Sequence, residues 1–228
     1  LIISDDNSPK SSEIKNLVKS YNDSRIVFFN QKKNLGEANN RQFLIDKSKA
    51  KWKIILSDDD LLSSNALKVL NNNISQNTEI DLFLFGYNLI DQFGKVLYKR
   101  KSFRRIRINS KKISLVKILL KFDIFPYRFF SPVTFCFSEN LSKKIKSSNK
   151  VGIADDIVFL ADVILNDFKG LVIPMYLMSY RKLFSSAGLD DQKNQSSSLT
   201  VQLKSKKLVY AYLIEKYKNH PIFYSYLK

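Results

Sequence analysis

Two clusters of aspartates follow apolar segments in the first 60 residues of the chain. Asp5 and Asp6 close the segment LIIS. Asp58, Asp59 and Asp60 close the segment WKIILS. Adjacent carboxylates repel one another, and they do so more strongly in a cleft than in water. Carboxylate oxygens are the ligands that Mg²⁺ prefers, and substrate phosphates often complete its coordination. The residue types therefore favour a divalent cation bound together with a phosphorylated ligand.

The scarcity of cysteine and histidine limits which other kinds of metal site can form. Cys136 is the only cysteine among the 228 residues, and His220 is the only histidine. A disulfide framework cannot form within the chain, and a zinc site of the Cys/His kind cannot be assembled. Any metal bound by this protein is therefore expected to be held by oxygen.

The charge balance favours an anionic partner. The chain has 38 Lys and Arg against 21 Asp and Glu, which gives a net charge of +17. Nucleic acid, a membrane surface and a phosphorylated substrate all fit this charge. A solvated, Lys-rich surface is the alternative, because most lysines are scattered. One dense patch, KRKSFRRIR, occupies residues 99–107.

Strand-like and helix-like segments alternate along the first part of the chain. The strands are LIIS, RIVFFN and KWKIILS, and the helices between them are SEIKNLVKSYN and EANNRQFLIDKSK. This alternation predicts an α/β protein with crossover helices and parallel strands. Ligands of such sheets bind beyond the carboxyl ends of the strands, which is where both aspartate clusters lie.

The rest of the chain continues the pattern less regularly. Strands are predicted at IDLFLFGYNLID, SPVTFCFS and KGLVIPMYLMSYRK, with a hairpin-like excursion at QFGKVL. Helices are predicted at SSNALKVLNNNIS, VGIADDIVFLADVILND and the amphipathic TVQLKSKKLVYAYLIEKYK. Helical periodicity places two sets of side chains inward: Ile14, Leu17, Val18 and Tyr21 in the first helix, and Ala66, Leu67, Leu70 and Ile74 in the third. The longest apolar runs are about half the roughly 20 residues that a spanning helix needs.

The order of the motifs resembles the inverting, nucleotide-sugar-dependent glycosyltransferases of family 2. The resemblance runs through LIISDDNSP, RIVFFNQKKNLGEANNR, WKIILSDDDLL, GIADDIVFL and YRKLFSS, and it covers about residues 1–187. It implies the GT-A fold, a Rossmann-like and mostly parallel sheet flanked by helices. A strand and a helix precede the first of these motifs in that family, so the resemblance also implies that this chain is truncated at its N-terminus.

The resemblance also implies a division of the chain. Residues 1–90 are expected to form the nucleotide-sugar half of a GT-A domain, and residues 91–187 the acceptor half. Residues 188–228 are then a polar linker and a C-terminal amphipathic helix.

Two donor-binding residues follow from the resemblance. Asp6 is expected to contact the nucleobase, where a carboxylate can accept a hydrogen bond from a uracil ring nitrogen. The alternative is that Asp5 and Asp6 form a turn and cap the following helix. Arg41 is expected to reach the nucleotide or its diphosphate, and the alternative is an ordinary surface arginine.

The aspartate triplet takes the place of the family's Asp-x-Asp motif. Alignment puts Ser57 at the first Asp and Asp59 at the second, so Asp59 is predicted as a metal ligand. Asp60 is expected to orient the loop or to share the metal, and Asp58 to face the ribose or diphosphate. A register that pairs Asp58 with Asp60, and a solvated turn without a ligand, remain alternatives.

Two later motifs supply the remaining site residues. GIADDIVFL matches the family's Glu-Asp element, so Asp156 is predicted as the general base and Asp155 replaces the usual Glu. An N-terminal helix cap is the alternative for this pair. In YRKLFSS, Leu183 stands where many members carry His, which leaves Arg181 as the expected phosphate neighbour.

Together these motifs predict an enzyme that transfers a sugar from a nucleotide-sugar donor, most often a UDP-sugar, to a glycan or lipid-linked glycan acceptor of a surface polysaccharide. The expected cofactor is Mn²⁺ or Mg²⁺. The expected location is the cytoplasm, with peripheral contact at the inner face of the membrane. Two alternatives are a glycosyltransferase-like domain that binds donor or glycan without turnover, and a nucleic-acid-binding protein. The second leaves the aspartates unexplained, so no nucleic acid is expected as a partner.

Overall fold

The structure is a computed structural model that describes residues 1–98, 106–108, 134–146, 155–181, 207–209 and 211–220. Its N-terminal part alternates strands and helices as the sequence predicts. The elements are β1 (Ile2–Asp5), α1 (Ser11–Ser20), β2 (Val27–Asn30) and α2 (Glu37–Lys47). β1 and β2 pair in parallel, so that Asp5 lies beside Asn30 where both strands end.

A larger mixed sheet forms the centre of the molecule. In the described part of the chain its strand order is β3-β8-β5-β9-β4, with β6 on β5 and β7 on β9. The strands are β3 (Trp52–Ile54), β4 (Leu61–Leu62), β5 (Leu82–Ile90), β6 (Val96–Tyr98), β7 (Ile106–Ile108), β8 (Phe135–Ser138) and β9 (Gly170–Arg181). The helices are α3 (Ala66–Gln76), α4 (Glu139–Lys144) and α5 (Asp155–Leu165), and residues 207–209 and 211–217 form a C-terminal helical segment.

Parallel and antiparallel pairing occur in different parts of these sheets. β1 pairs with β2, and β5 with β9, in parallel. The other pairings are antiparallel, including β5 with β6, which follow one another through a short turn that can reverse the chain. The hairpin-like excursion predicted at QFGKVL is this β5–β6 turn.

The two faces of β5 carry separate parts of the core. Leu82 and Leu84 pack with α5 and the C-terminal helical segment, and Phe83 and Phe85 pack with α3. All four side chains are at most 1% exposed. Successive side chains of a strand point to opposite faces, so a continuously apolar strand such as β5 is expected to be covered on both sides.

Two of the predicted buried faces are wrong in part. Leu67 is 63% exposed although Ala66 and Leu70 of the same helix are buried. In the first helix, Leu17 is 60% exposed, and α1 buries none of its side chains. Periodicity identifies the apolar stripe of a helix, but the width of the surface that faces the stripe decides how much of it is covered.

Among the described residues, no helix combines the length and apolar character needed to cross a membrane.

Candidate functional site

The aspartate triplet forms a tight loop between β3 and β4, and the end of β9 holds this loop in place. The Asp60 side chain is buried, and its Oδ1 accepts a hydrogen bond of 2.9 Å from the backbone N–H of Arg181. The Nε of Arg181 donates to the backbone carbonyl of Asp59 at 2.7 Å. The loop continues directly into β4, where Leu61 pairs with Ser179 of β9. The three aspartates are therefore fixed against the sheet.

Arg181 also connects this loop to the β5–β6 turn. Its Nη1 donates to the carbonyl oxygens of Asp91, at 3.0 Å, and Gln92, at 2.8 Å. The guanidinium thus bonds three backbone carbonyls from two loops. Arg181 stays a predicted phosphate neighbour, and the structure adds that it holds the aspartate loop and the turn together.

The three aspartates differ in their surroundings. Asp58 is exposed, Asp59 is half-buried and Asp60 is buried. Burial raises the pKa of Asp60 to about 6, and the charges of Asp59 and Asp58 add to this effect against the opposing hydrogen bond from Arg181. Within the described part of the chain, Oδ2 of Asp60 has no hydrogen-bond partner. A buried carboxylate oxygen without a donor is poorly stabilised as an anion, and a cation would change that.

Asp6 holds the loop that follows β2. Its Oδ1 accepts from the backbone N–H of Leu35 at 2.7 Å, and its Oδ2 accepts from that of Gly36 at 2.9 Å. Gly36 has a φ of +80°, a conformation that favours glycine, and α2 begins at the next residue. Asp5 is buried and accepts from the backbone N–H of Ser8 at 3.1 Å, which is the turn considered as an alternative from the sequence.

An ion pair lies in the first turns of α2. Arg41 of α2 forms an ion pair with Glu37 one turn earlier, and only 10% of the Arg41 side chain is exposed. Burial raises the pKa of Tyr180 in β9, and the negative charges of Asp60, Asp59 and Glu37 raise it further. The charges of the aspartate loop and of the α2 start thus both act on Tyr180.

Hydrogen bonds place the predicted donor-site residues in two groups, Asp6 with the start of α2 and the aspartate loop with Arg181. Asp6 bonds Gly36, which precedes Glu37, and the charges of Glu37 and of the aspartate loop both act on Tyr180. Arg41 belongs to the same helix. As predicted, Asp5 ends β1 and the aspartate triplet follows β3, but β3 pairs antiparallel with β8, in a different sheet from the parallel pair β1 and β2.

A polar network behind β1 was not predicted from the sequence. Ser4 Oγ donates to Oδ1 of Asn40 at 2.7 Å and accepts from Nε2 of Gln31 at 3.0 Å. Asn40 Nδ2 also donates to the Ser4 carbonyl, at 3.3 Å. The network fixes α2 against the end of β1. The sequence feature that could have indicated this network is the group of amide side chains in QKKN and ANN, on either side of the glycine turn.

Comparison with known proteins identifies the family. The family model described as glycosyl transferase family 2 matches residues 1–133, more than half of the chain. The chain belongs to glycosyl transferase family 2. An uncharacterized glycosyltransferase of Methanocaldococcus jannaschii is 26% identical over 183 residues, which are 79% of this chain and 59% of that protein.

Solved structures of S. aureus TarS share the fold of this family 2 member. TarS 1-349 superposes with a TM-score of 0.60 at 16% identity, over 79% of this chain and 50% of the TarS 1-349 chain. The complex of TarS 1-349 with UDP-GlcNAc superposes with a TM-score of 0.61 at 14% identity, over 95% of this chain and 63% of that TarS chain. The predicted α/β class with the GT-A fold is thereby confirmed. The chain spans between half and two thirds of the length of these relatives.

The predicted acceptor-site residues of this family 2 member are placed less completely. α5 begins at Asp155, so Asp155 and Asp156 lie in its first turn, but their side chains fall outside what the structure describes. Leu183 and the basic residues 99–105 also lie outside the described residues. The general-base role of Asp156 stays a prediction, and so do the domain boundaries at residues 90 and 187.

A buried polar cluster holds α5 to the C-terminal helical segment. Asp162 is 1% exposed and accepts hydrogen bonds from the Tyr217 hydroxyl and, at 2.7 Å, from Nζ of Lys216. Nδ2 of Asn166 donates to the Tyr217 hydroxyl at 3.2 Å. The sequence alone does not reveal this cluster, because an aspartate on an apolar helix face indicates a buried partner without identifying it.

The described residues contain no cluster of three His, Cys, Asp or Glu side chains close enough to hold a metal ion. A hard cation can, however, bind through one or two carboxylates when substrate phosphates and water complete its shell. The unpartnered Oδ2 of Asp60, with Asp59 next to it, is a donor set of that kind.

Proposed function

We propose that the protein transfers a sugar, with inversion, from a UDP-sugar to a glycan or lipid-linked glycan acceptor in surface polysaccharide synthesis. Membership of glycosyl transferase family 2 supports a sugar-transfer activity. The TarS structures with UDP and with UDP-GlcNAc support a nucleotide-sugar donor on this fold. The observation that carries the proposal is the aspartate loop, in which the described residues give Oδ2 of the buried Asp60 no hydrogen-bond partner while Arg181 of β9 holds the loop in place.

The donor is proposed to lie between the loop before α2 and the aspartate loop. Asp6 has lone pairs left after binding two backbone N–H groups, since each carboxylate oxygen can accept more than one hydrogen bond. It would accept from the uracil ring while fixing the loop before α2. Arg41, with a largely buried side chain, would face the nucleotide or diphosphate, and Asp58 would face the ribose or diphosphate.

Mn²⁺ or Mg²⁺ is proposed as the cofactor, held by Asp59 and Asp60. Both proposed ligands are carboxylates, whose oxygens suit a hard cation. The bound cation would neutralise charge on the departing nucleoside diphosphate. Arg181 would keep both aspartates in position and place positive charge beside the diphosphate.

Asp156 is proposed as the general base. It would take the proton from an acceptor hydroxyl as that oxygen attacks the anomeric carbon opposite the leaving diphosphate. A single displacement of this kind inverts the configuration and needs no covalent intermediate. The first turn of a helix suits a carboxylate, since the helix dipole is positive there.

The acceptor and the location complete the proposal. A lipid-linked glycan would bring the protein to the inner face of the cytoplasmic membrane as a peripheral protein. The net charge of +17 supports contact with an anionic surface.

Thermal unfolding with nucleotides tests the donor site. The protein is heated with UDP or GDP, each with and without Mn²⁺, beside Asp59→Asn. At about one hundred times its dissociation constant, a ligand adds roughly 2.7 kcal/mol of stability. We expect UDP with Mn²⁺ to raise the midpoint of the wild type but not that of Asp59→Asn.

The matched control is Asp167→Asn, which changes an exposed aspartate outside the site. Asp167 has a φ of +60°, which asparagine also tolerates. This variant should respond to UDP as the wild type does. An equal response of Asp59→Asn, or the absence of any metal-dependent response in the wild type, would contradict the proposal.

A further inference from the structure

The β5–β6 turn presents apolar side chains to solvent. Phe93 at its tip is 85% exposed, and Val96 and Leu97 on the returning strand are 42% and 47% exposed. A single exposed apolar residue needs no explanation, but three within five positions give the turn an exposed apolar tip.

The turn is built to hold this tip outward. Asp91 Oδ1 accepts hydrogen bonds from the backbone N–H groups of Phe93, at 2.9 Å, and Lys95, at 2.8 Å. The backbone of Asp91 also exchanges bonds with Gly94 and Lys95. Gly94 has a φ of +87°. Phe93 is therefore displayed by a closed turn with defined hydrogen bonds.

Positive charge lies within the turn and follows it in the sequence. Lys95 is exposed within the turn, and the patch KRKSFRRIR follows β6 directly. Between Asp91 and Asp123 the sequence contains no acidic residue. An aromatic tip flanked by Lys and Arg matches the two components of an anionic bilayer surface, its apolar boundary and its phosphate headgroups.

We propose that the tip of the β5–β6 turn, residues 92–97, inserts into the headgroup region of an anionic membrane. The other possible occupants fit less well. A second copy of this chain carries the same +17 charge and would be repelled. Nucleic acid matches the charge but offers no apolar phase for Phe93 and its neighbours.

The turn is connected to the donor site. Arg181 bonds the carbonyl oxygens of Asp91 and Gln92 with one nitrogen and that of Asp59 with another. Insertion of the tip would therefore place the aspartate loop at a fixed height above the membrane. This step rests on the proposed function, since a lipid-linked acceptor presents its sugar at that surface.

Vesicle co-sedimentation tests the insertion. The full chain is mixed with vesicles of phosphatidylglycerol and phosphatidylcholine, and with vesicles of phosphatidylcholine alone. We expect binding to the anionic vesicles, and Phe93→Ser should weaken it about tenfold, since burying part of an aromatic ring contributes over 1 kcal/mol. The matched control is Leu67→Ser, which changes a 63% exposed side chain on α3 and should bind as the wild type does.

A fluorescent variant locates the tip directly. Trp52 is the only tryptophan, so Phe93→Trp adds one reporter and the wild type supplies the background. The emission of the new tryptophan should shift to the blue on binding, and lipids brominated on their acyl chains should quench it. Unshifted emission, or equal binding by Phe93→Ser and the wild type, would overturn the proposal and assign any vesicle binding to charge alone.

Failure of this inference and failure of the proposed function give different results. If UDP with Mn²⁺ stabilises the protein while Phe93→Ser binds vesicles normally, only the membrane inference fails. If Phe93→Ser loses vesicle binding while no nucleotide stabilises the protein, only the donor site fails.

Discussion

Several residues of the candidate site have a structural and a proposed chemical role at once. Asp6 holds two backbone N–H groups of the loop before α2, and Arg181 bonds three backbone carbonyls. The sequence predicted these residues but not their partners, which lie as far apart as 122 positions in the chain. Residue type indicates the available chemistry, whereas partners depend on which loops the fold brings together.

Asp60 should make stability depend on pH. Its pKa is about 6 in the folded protein, against 3.8 as its ordinary value. Because the folded state binds the proton more tightly, stability should fall as pH rises from about 4 to 6 and stay level above. The full effect is on the order of 1 to 3 kcal/mol. Asp60→Asn removes this titration, so its stability relative to wild type should increase by that amount between pH 4 and 7.

Urea unfolding at pH 4, 5, 6 and 7 measures this difference. Asp58→Asn is the control, since it changes an exposed neighbour and keeps the Asp60 carboxyl. Parallel pH profiles of the wild type and Asp60→Asn would show that Asp60 ionises in the folded protein as it does in water.

At the scale of elements, strands and helices with strong periodicity were predicted well. β2, α2, β5 and β9 lie within the predicted segments, and β1, α1 and α3 each extend one residue beyond theirs. The two-residue β4 and the strand β7 were missed. β4 exists because the aspartate loop returns against β9, and β7 because residues 106–108 pair with the start of β9. Short strands of this kind depend on a distant partner, which local sequence does not reveal.

The C-terminal helical segment should depend on Lys216 for its contact with α5. Lys216 Nζ bonds Asp162, whose side chain is 1% exposed. Burial alone would lower the pKa of Lys216, but Asp162 raises it above its ordinary value. Lys216→Met keeps most of the aliphatic stem and leaves Asp162 as a buried anion with fewer partners. We expect a loss of about 1 to 3 kcal/mol in the free energy of unfolding.

The control is Lys218→Met, two residues away and exposed, which should change stability by less than about 0.5 kcal/mol. Urea unfolding compares the two variants. If Lys216→Met and Lys218→Met are equally stable, Asp162 does not need Lys216 as a partner. The segment would then be held by Val209, Leu213 and Tyr217 alone.

At the scale of the whole molecule, β5 should join both parts of the core into one cooperative unit. Leu84 packs with α5 and the C-terminal helical segment, and Phe83 packs with α3 and with the ring of Trp52 at 5.3 Å. Leu84→Ala and Phe83→Ala each leave a cavity, so each should cost about 3 to 5 kcal/mol. Because both residues belong to one strand, each variant should show a single transition.

Tryptophan fluorescence reports the α3 side through Trp52, and far-ultraviolet circular dichroism reports all helices. Coincident transitions by the two probes are expected for the wild type and for both variants. Leu67→Ala, at an exposed position of α3, serves as the control and should change the free energy of unfolding by less than about 0.5 kcal/mol. Separate transitions for Leu84→Ala would mean that the α5 side unfolds while the aspartate loop and α3 remain folded.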